Sequence, residues 1–304
     1  SFVSCRSCGE AVKCPHCDVA MTRHAAGDKN GILMCHYCGY SMAEPSSCPA
    51  CGSRLIGGYG VGTEKVEQEI HRLFPEARTL RMDRDTTSKK NSHQHIVERF
   101  GRGEADILIG TQMIVKGHDF ANVTLVGILL ADLTLFNGDY RSGERTFDLL
   151  TQAAGRAGRG NIPGKVIIQT YKPDNYVIKA AAAQDYEMFY ETEAAYRSFM
   201  RYPPEWNMMV IMAVGAEEEQ LAKIMDRMYS LIREKYMQTG HLSVIGPSEP
   251  AISRIKDMYR RVLYIKHQDY MVLVKIRDCI EQWFKESGEA GVSVFFDFNP
   301  MNMY

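Results

Sequence analysis

The sequence has no apolar run near the ~20 residues that a membrane-spanning helix needs. Its longest, at residues 123–131, carries a glycine and reads as a buried strand. A membrane helix is therefore excluded. Nor does one sign of charge dominate: 36 Lys and Arg face 37 Asp and Glu, for a net charge of −1. That excludes a global basic field, so any contact with nucleic acid must come from local patches. There is no Gly-x-x-x-x-Gly-Lys-Ser/Thr phosphate loop, because Gly164-Lys165 is followed by Val166, and there is no Asp-Glu dipeptide. Both familiar devices for holding a nucleoside triphosphate and its metal are thus missing. No signal-peptide pattern opens the chain, and beyond residue 51 it has a single cysteine, Cys279.

The other eight cysteines lie within the first 51 residues as four Cys-x-x-Cys pairs: Cys5/Cys8, Cys14/Cys17, Cys35/Cys38 and Cys48/Cys51. A disulfide framework would need an oxidising compartment, and a thioredoxin-type motif would be single. Four pairs in a row instead imply two tetrahedral sites for Zn2+, in which two knuckles each offer two thiolates to one ion at ~2.3 Å. Gly9, Gly39 and Gly52 follow three of the pairs and Asp18 the fourth. A left-handed residue is expected there, which Gly adopts freely and Asp tolerates. Seventeen residues separate Cys17 from Cys35, a zinc-ribbon spacing. Residues 19–24 and 32–34 read as a hairpin with its turn at 26–31, which would join the inner pairs and leave the outer pairs to each other. Sequential pairing is the alternative. His16, His24 and His36 are expected to be surface residues, since eight thiolates already fill two sites. Free thiols place the chain in the cytoplasm.

With 304 residues and 45% apolar content the chain has room for two or three domains. Its 17 methionines read as gap-filling core. A first metal ligand as early as residue 5 suggests a fragment of a longer protein. From about 60 to 200, helices and strands alternate. Helices are expected at 64–74, 92–100, 144–157 and 175–199, and strands at 78–82, 105–110, 123–131 and 165–170. Apolar strands between helices imply an α/β layer with a parallel sheet covered on both faces.

Two stretches of this layer carry chemistry. In Gln152-Ala-Ala-Gly155-Arg156-Ala-Gly158-Arg159, a helix would set Gln152, Arg156 and Arg159 on one face, and Gly155 and Gly158 would let that face approach a neighbour. Two guanidiniums pointing one way suit a polyphosphate. An exposed arginine pair is the plainer alternative. The second stretch, Gly110-Thr-Gln-Met-Ile-Val-Lys-Gly117-His-Asp119, follows a strand, and ligands of α/β sheets bind at the carboxyl ends of strands. Alone it reads equally well as an ordinary loop.

Together these stretches resemble motifs VI and V of superfamily 2 helicases, and within them the family of primosomal replication-restart helicases. Further matches are Gly62-Thr-Glu-Lys-Val-Glu-Gln-Glu-Ile70, Asp83-Arg-Asp-Thr-Thr87, Asp139-Tyr-Arg-Ser-Gly-Glu-Arg145 and Arg201-Tyr-Pro-Pro204, with the eight-cysteine insertion before them. The resemblance implies nested cysteine pairs and a RecA-like second lobe. It implies that Arg156 and Arg159 act as arginine fingers beside Gln152 on ATP held with Mg2+ by another lobe. It implies further that Gly117, Asp119 and Gly155 meet the nucleotide and that Thr111 lies near the DNA backbone. The missing phosphate loop and acidic motif would belong to a first lobe preceding residue 1, so this chain alone is expected to be inactive.

After Pro203-Pro204 the order strand 207–215, helix 217–237, strands 242–245 and 260–266, helix 270–285 and strand 292–298 is that of a βαββαβ ferredoxin-like sandwich. Arg254, Lys256, Arg260 and Arg261 lie together here, with Lys266 and His267 beyond. On one strand the first three share a side and would track a phosphate backbone. A charged strand edge guarded against aggregation is the alternative. The resemblance favours DNA, since it implies a C-terminal domain that binds branched DNA.

The expected organisation is a zinc-binding region over 1–57, the helicase lobe over 58–202 and a DNA- or partner-binding domain over 203–304. The expected function is that of part of an ATP-dependent 3′→5′ DNA helicase acting at stalled forks and initiating primosome assembly. Its expected partners are branched and single-stranded DNA, single-strand-binding protein, primosome proteins and the replicative helicase loader, with no membrane. The reading from another class is a non-catalytic zinc-ribbon scaffold binding DNA and primosome partners.

Overall fold

The computed structural model describes residues 2–24, 31–59, 62–83, 86–87, 91–114, 120, 122–136, 138–160 and 162–304. They fall into two compact bodies, one of Ser1–Gly60 with Tyr196–Tyr304 and the other of Val61–Ala195. No helix among the described residues is long and apolar enough to cross a membrane.

The N-terminal part of the first body is a sheet of very short strands: β1 (Phe2–Cys5), β2 (Thr22–His24), β3 (Ile32–Met34), β4 (Ser41–Ala43) and β5 (Ile56–Tyr59). All pairs are antiparallel, in the order β4-β3-β2-β1-β5. Its core is small, with Val3, Val12, Met21 and Leu33 packed against Cys14, Cys17 and Cys35. So few apolar side chains call for a covalent or metal staple. The β2–β3 hairpin, registered Thr22↔Met34, carries the two inner cysteine pairs on its ends. Most of its expected turn lies outside the described residues.

The second body alternates helix and strand. It contains α1 (Thr63–Leu73), β6 (Thr79–Met82), α2 (Ser92–Gly101), β7 (Ile107–Gly110), β8 (Leu125–Ile128), α3 (Asp132–Leu135), α4 (Ser142–Ala154), β9 (Lys165–Ile168), α5 (Tyr176–Ala183) and the greater part of α6 (Tyr186–Phe199), whose residues from Tyr196 are counted in the first body. Strands β6 and β7 pair in parallel, as do β8 and β9. Phe147 of α4 stacks on Phe189 of α6, with ring centroids 4.3 Å apart, in a cluster with Leu150, Val177 and Ile178.

Two helices differ from the sequence expectation. The single helix expected over 175–199 is broken at Gln184, which is left-handed with φ 54°. Asp185 restarts it, its Oδ1 accepting from the Met188 amide at 2.9 Å as a helix cap does. Helix α4 ends at Ala154 and not at 157.

The C-terminal part of the first body comprises β10 (Asn207–Gly215), α7 (Glu218–Tyr236), β11 (Ser243–Ser248), β12 (Arg254–Ile255), β13 (Met258–His267), α8 (Tyr270–Ser287) and β14 (Val292–Phe298). The sheet is antiparallel, in the order β11-β13-β10-β14, with β12 added against β13. Alternate residues Met209, Ile211 and Ala213 of β10 enter one core with Leu221, Met225 and Met228 of α7 and Leu273 and Ile276 of α8. That is the period-2 pattern of a sheet covered by helices.

Strand β12, like β1, β4, β5 and α3, was not expected from the sequence. Lys256 and Asp257 have φ 53° and 61°, and Ile255 pairs with Met258, so the chain reverses in a two-residue hairpin. Arg254, Lys256 and Arg260 therefore do not share one side of one continuous strand.

Candidate metal centres and arginine loop

The eight N-terminal cysteines gather into two groups, Cys5/Cys8/Cys48/Cys51 and Cys14/Cys17/Cys35/Cys38, whose sulfurs lie within 4.8 Å of one another. This is the nested arrangement, and it rules out the sequential one. The groups fit zinc closely. A tetrahedron with metal–sulfur bonds of ~2.3 Å has sulfur–sulfur edges of roughly 3.8 Å. Cys5–Cys51 and Cys8–Cys48 are each 3.7 Å apart and Cys14–Cys38 3.5 Å, far beyond the ~2.05 Å of a disulfide. In the outer group Cys8 and Cys51 are exposed, whereas Cys14, Cys17 and Cys35 of the inner group are buried. His16, His24 and His36 belong to neither group. His16 Nδ1 meets Asp257 Oδ2 at 2.8 Å, and His24 and His36 meet each other at 3.3 Å.

Backbone amides point at the sulfurs. Ser7, inside the Cys5–Cys8 knuckle, donates to Cys5 at 3.3 Å, and Tyr40, two residues past Cys38, donates to Cys38 at 3.4 Å. Amide bonding from Cys8 is the main cause that brings the Cys5 thiol down to about 6. Burial works to raise Cys35, but the amides of Cys38 and Tyr37, with the side chains of Cys38 and Cys14, together outweigh it and hold that thiol at about 7. Burial pushes the Cys17 thiol up, opposed by the amide of Lys256 at 3.3 Å. Gly9, Gly39 and Gly52 are left-handed, with φ of 80°, 82° and 73°, but Asp18 is not. The expectation that Asp18 plays the glycine's part is corrected: its amide donates to the Arg254 carbonyl at 2.9 Å.

In the second body the arginine stretch is a loop and not a helix face. Exposed Gln152 sits in the last turn of α4, and Gly155, half-buried Arg156 and exposed Arg159 follow the helix end. The Arg159 Nε–H donates to the Gly155 carbonyl at 2.7 Å. Gly158, with φ 75°, gives its amide to the Val123 carbonyl at 2.9 Å. A Cβ on Gly158 would meet the Gly164 amide at 2.6 Å, so the close approach expected of the glycines is made there, by backbone against backbone. Gly110 ends β7 opposite Met82, and a Cβ on it would meet the Met82 carbonyl at 2.5 Å. Thr111 follows, exposed. Gly117 and Asp119 lie outside the described residues.

Sequence reading gave no role to three carboxylates that the fold makes conspicuous. Asp83, buried just past β6, accepts from the Thr63 hydroxyl and, at 2.9 Å, from the Thr86 amide. Asp132, buried just past β8, accepts from Thr170 at 2.7 Å and from the Tyr171 amide at 2.8 Å; the Thr170 bond chiefly holds its carboxyl below the ordinary range. Asp139 pairs with Arg145 at 2.9 Å. The signal available was a lone acidic residue directly after an apolar strand, for Asp83 and Asp132.

Of the C-terminal cations, Arg254 donates to the Pro15 carbonyl at 3.0 Å. Arg260 donates to the Ile252 carbonyl and Arg261 faces Glu218 and Glu249. Lys256 is exposed.

Comparison with known proteins places these features together. Residues 14–42 match the Cys-rich region (CRR) domain of the PriA DNA helicase, and residues 61–161 match the helicase conserved C-terminal domain. The Replication restart protein PriA of Bacillus subtilis (strain 168) is 43% identical over 304 residues, 100% of this chain and 37% of that protein. The chain belongs to the PriA family. The PriA proteins of Synechocystis sp. and Haemophilus influenzae are 40% and 34% identical, over 100% and 98% of this chain and 36% and 40% of their own lengths. The chain thus spans well under half the length of these PriA relatives. Among solved structures, the de novo designed protein Foldit4 matches 31% of the chain and 96% of its own at 14% identity, with a TM-score of 0.26, too low to bear on the fold.

Proposed function

We propose that this chain is part of an ATP-dependent 3′→5′ DNA helicase that recognises stalled replication forks and initiates primosome assembly. One observation carries the reading: a PriA Cys-rich region and a helicase C-terminal domain follow one another in a chain that aligns over its whole length with PriA proteins. Residues 1–57 are the zinc-binding region, 58–202 a RecA-like second lobe, and 203–304 a ferredoxin-like domain, which the sheet order β11-β13-β10-β14 supports.

In this reading ATP and Mg2+ are held by a first lobe, and this chain supplies charge across the cleft. Arg156 and Arg159 approach the transferred phosphoryl group, Gln152 orients beside them, and Gly155, Gly117 and Asp119 lie along the nucleotide. Phosphoryl transfer is mainly positioning and charge stabilisation, which guanidiniums brought from a second lobe provide. Thr111, Arg254, Lys256 and Arg260 contact DNA phosphates. Single-strand-binding protein, primosome proteins and the helicase loader are the protein partners, and eight reduced thiolates suit a cytoplasmic setting.

The test is ATP hydrolysis on forked DNA by the full-length protein and by this chain alone. The reading expects turnover only when a phosphate-loop lobe is present. Hydrolysis by this chain at the full-length rate would overturn it. A full-length protein that binds forks but never hydrolyses ATP would favour the scaffold.

A further inference from the structure

Three of the four cysteine knuckles are self-contained. In each, the residue after the second cysteine is a left-handed glycine whose amide closes the turn: Gly9 onto the Cys5 carbonyl, Gly39 onto Cys35 and Gly52 onto Cys48, all at 2.9 Å. The knuckle Cys14-Pro15-His16-Cys17 is built otherwise. Its closing position is Asp18, outside the left-handed region, and the Asp18 amide leaves the knuckle for the Arg254 carbonyl at 2.9 Å.

What the knuckle lacks, the C-terminal hairpin supplies. The Lys256 amide donates to Cys17 Sγ at 3.3 Å, and the Asp257 amide donates to the His16 carbonyl at 2.9 Å. Ser253 Oγ donates to Asp18 Oδ2 at 3.0 Å, and the Arg254 guanidinium reaches the Pro15 carbonyl. Ile255 packs into the same apolar cluster as Val12, Cys14, Cys17 and Cys35. Lys256 and Asp257 both hold the left-handed conformation, which residues with a Cβ adopt at a cost. That conformation turns the hairpin back at the point where it touches the metal ligand.

We infer that the hairpin of residues 253–260 completes the inner metal site, so that occupancy of that site and docking of the C-terminal domain on the zinc region are one linked equilibrium. Partners in the outer shell of a metal site orient the ligands, and their loss typically costs ~10–100-fold in metal affinity. By linkage, emptying the inner site releases the hairpin by the same factor. The outer site has no such partner from the C-terminal domain among the described residues, so the two ions should respond differently. The inference rests on the reading of both groups as zinc sites.

The test measures zinc release to an excess of chelator and backbone hydrogen exchange on the whole chain. Wild type should carry two ions and release them in two phases. Ile255→Ser should speed one phase by ~10–100-fold and leave the other unchanged. Lys256→Gly keeps the amide and suits its conformation, so both phases should stay as in wild type. Cys17→Ser should expose the amides of residues 253–258 to exchange while those of β10 and α7 stay protected. This arm decides the matter if Ile255→Ser does not fold. Unchanged phases in a folded Ile255→Ser, or unchanged hairpin protection in Cys17→Ser, overturn the inference. Fewer than two ions in wild type defeats the zinc reading, a separate failure that takes this inference with it.

Discussion

Lys266 holds its ammonium 3.4 Å from the centroid of the Tyr202 ring and donates to the Met200 carbonyl at 3.2 Å. The side chain is buried on β13, and it reaches the segment that leads into the C-terminal domain. Burial first, and the nearby Arg201 charge second, lower its pKa from the ordinary 10.5 to about 8. The sign follows from linkage. Between about 8 and 10.5 the unfolded chain binds more protons than the folded one, so this group makes stability rise with pH across that window. Below about 8 both states are charged and its contribution is constant.

Replacing Lys266 with Met should therefore remove that rise. Both tryptophans, Trp206 and Trp283, lie in the C-terminal domain, so their fluorescence during urea unfolding reports this domain. The expected result is a stability difference between variant and wild type that changes steadily from pH 8 to pH 10 and is flat from pH 6 to pH 7.5. A difference independent of pH would mean that Lys266 titrates at its ordinary value.

For the metal sites, elemental analysis should find two zinc ions per chain. Any cysteine-to-serine change in either group should remove one. Because Cys8 and Cys51 are exposed and three of the inner cysteines are buried, a chelator should strip the outer site first, as read by which cysteines become alkylated. Structural zinc contributes on the order of 10–16 kcal/mol in small modules, so full chelation should unfold the five-stranded sheet and leave the second body protected from exchange. A chelated chain whose N-terminal sheet keeps its protection would refute the staple.

How much of this was legible in the sequence depended on the range of the interactions. The zinc sites were nearly all local: knuckle spacing plus one hairpin favoured the nested pairs, and the fold excludes the sequential pairing that the sequence had left open. The long strands of the C-terminal domain were legible too, because β10 is an apolar run from Met208 to Val214 ended by Gly215. Short-range chemistry that competes with periodicity was less so. The left-handed Gln184 with its capping Asp185 split a helix whose apolar pattern ran straight through. The turn at Lys256-Asp257 carries neither Asn nor Gly, so nothing marked it as a hairpin. Its partner, Cys17, lies 239 residues away from Lys256, and no pattern within a window can register a contact of that kind. The arginine stretch is a loop because α4 ends at Ala154, and the left-handed Gly158 beyond it lies against the backbone of Gly164.

That contact makes Gly158→Ala a sharp probe. The new Cβ would sit 2.6 Å from a backbone nitrogen, at a φ of 75°. The left-handed strain alone costs roughly 1–2 kcal/mol, and the backbone cannot rotate out of the way. The second body should unfold at lower urea concentration. By contrast, Arg156→Ala and Arg159→Ala should leave the fold nearly unchanged. In the full-length protein they should cut ATP turnover by ~10³-fold or more, with little change in DNA affinity, as for arginines acting on a transferred phosphoryl group. Turnover within a few-fold of wild type in both variants would remove the arginine-finger role.

The proposed DNA contact can be tested separately on the hairpin's three cations. Lys256 is exposed, and its ammonium has no hydrogen-bond or ion-pair partner among the described residues. Arg254 gives one donor to Pro15, and Arg260 gives donors to Ile252 and Met212. A guanidinium has five donors, so each arginine keeps some for a phosphate. Lys256→Ala should weaken fork binding equally for any sequence, because phosphate contacts position DNA without reading it. It should also flatten the plot of log affinity against log salt by about 0.9 per duplex phosphate lost. Replacing Arg254, Lys256 and Arg260 together should flatten it further, by up to about 0.9 for each. Circular dichroism and sedimentation must show a folded monomer, since a strand edge stripped of charge would announce itself by aggregation. If the triple variant is no worse than Lys256→Ala, the arginines serve the fold alone. If neither variant changes the slope, this hairpin holds the zinc region and does not touch DNA.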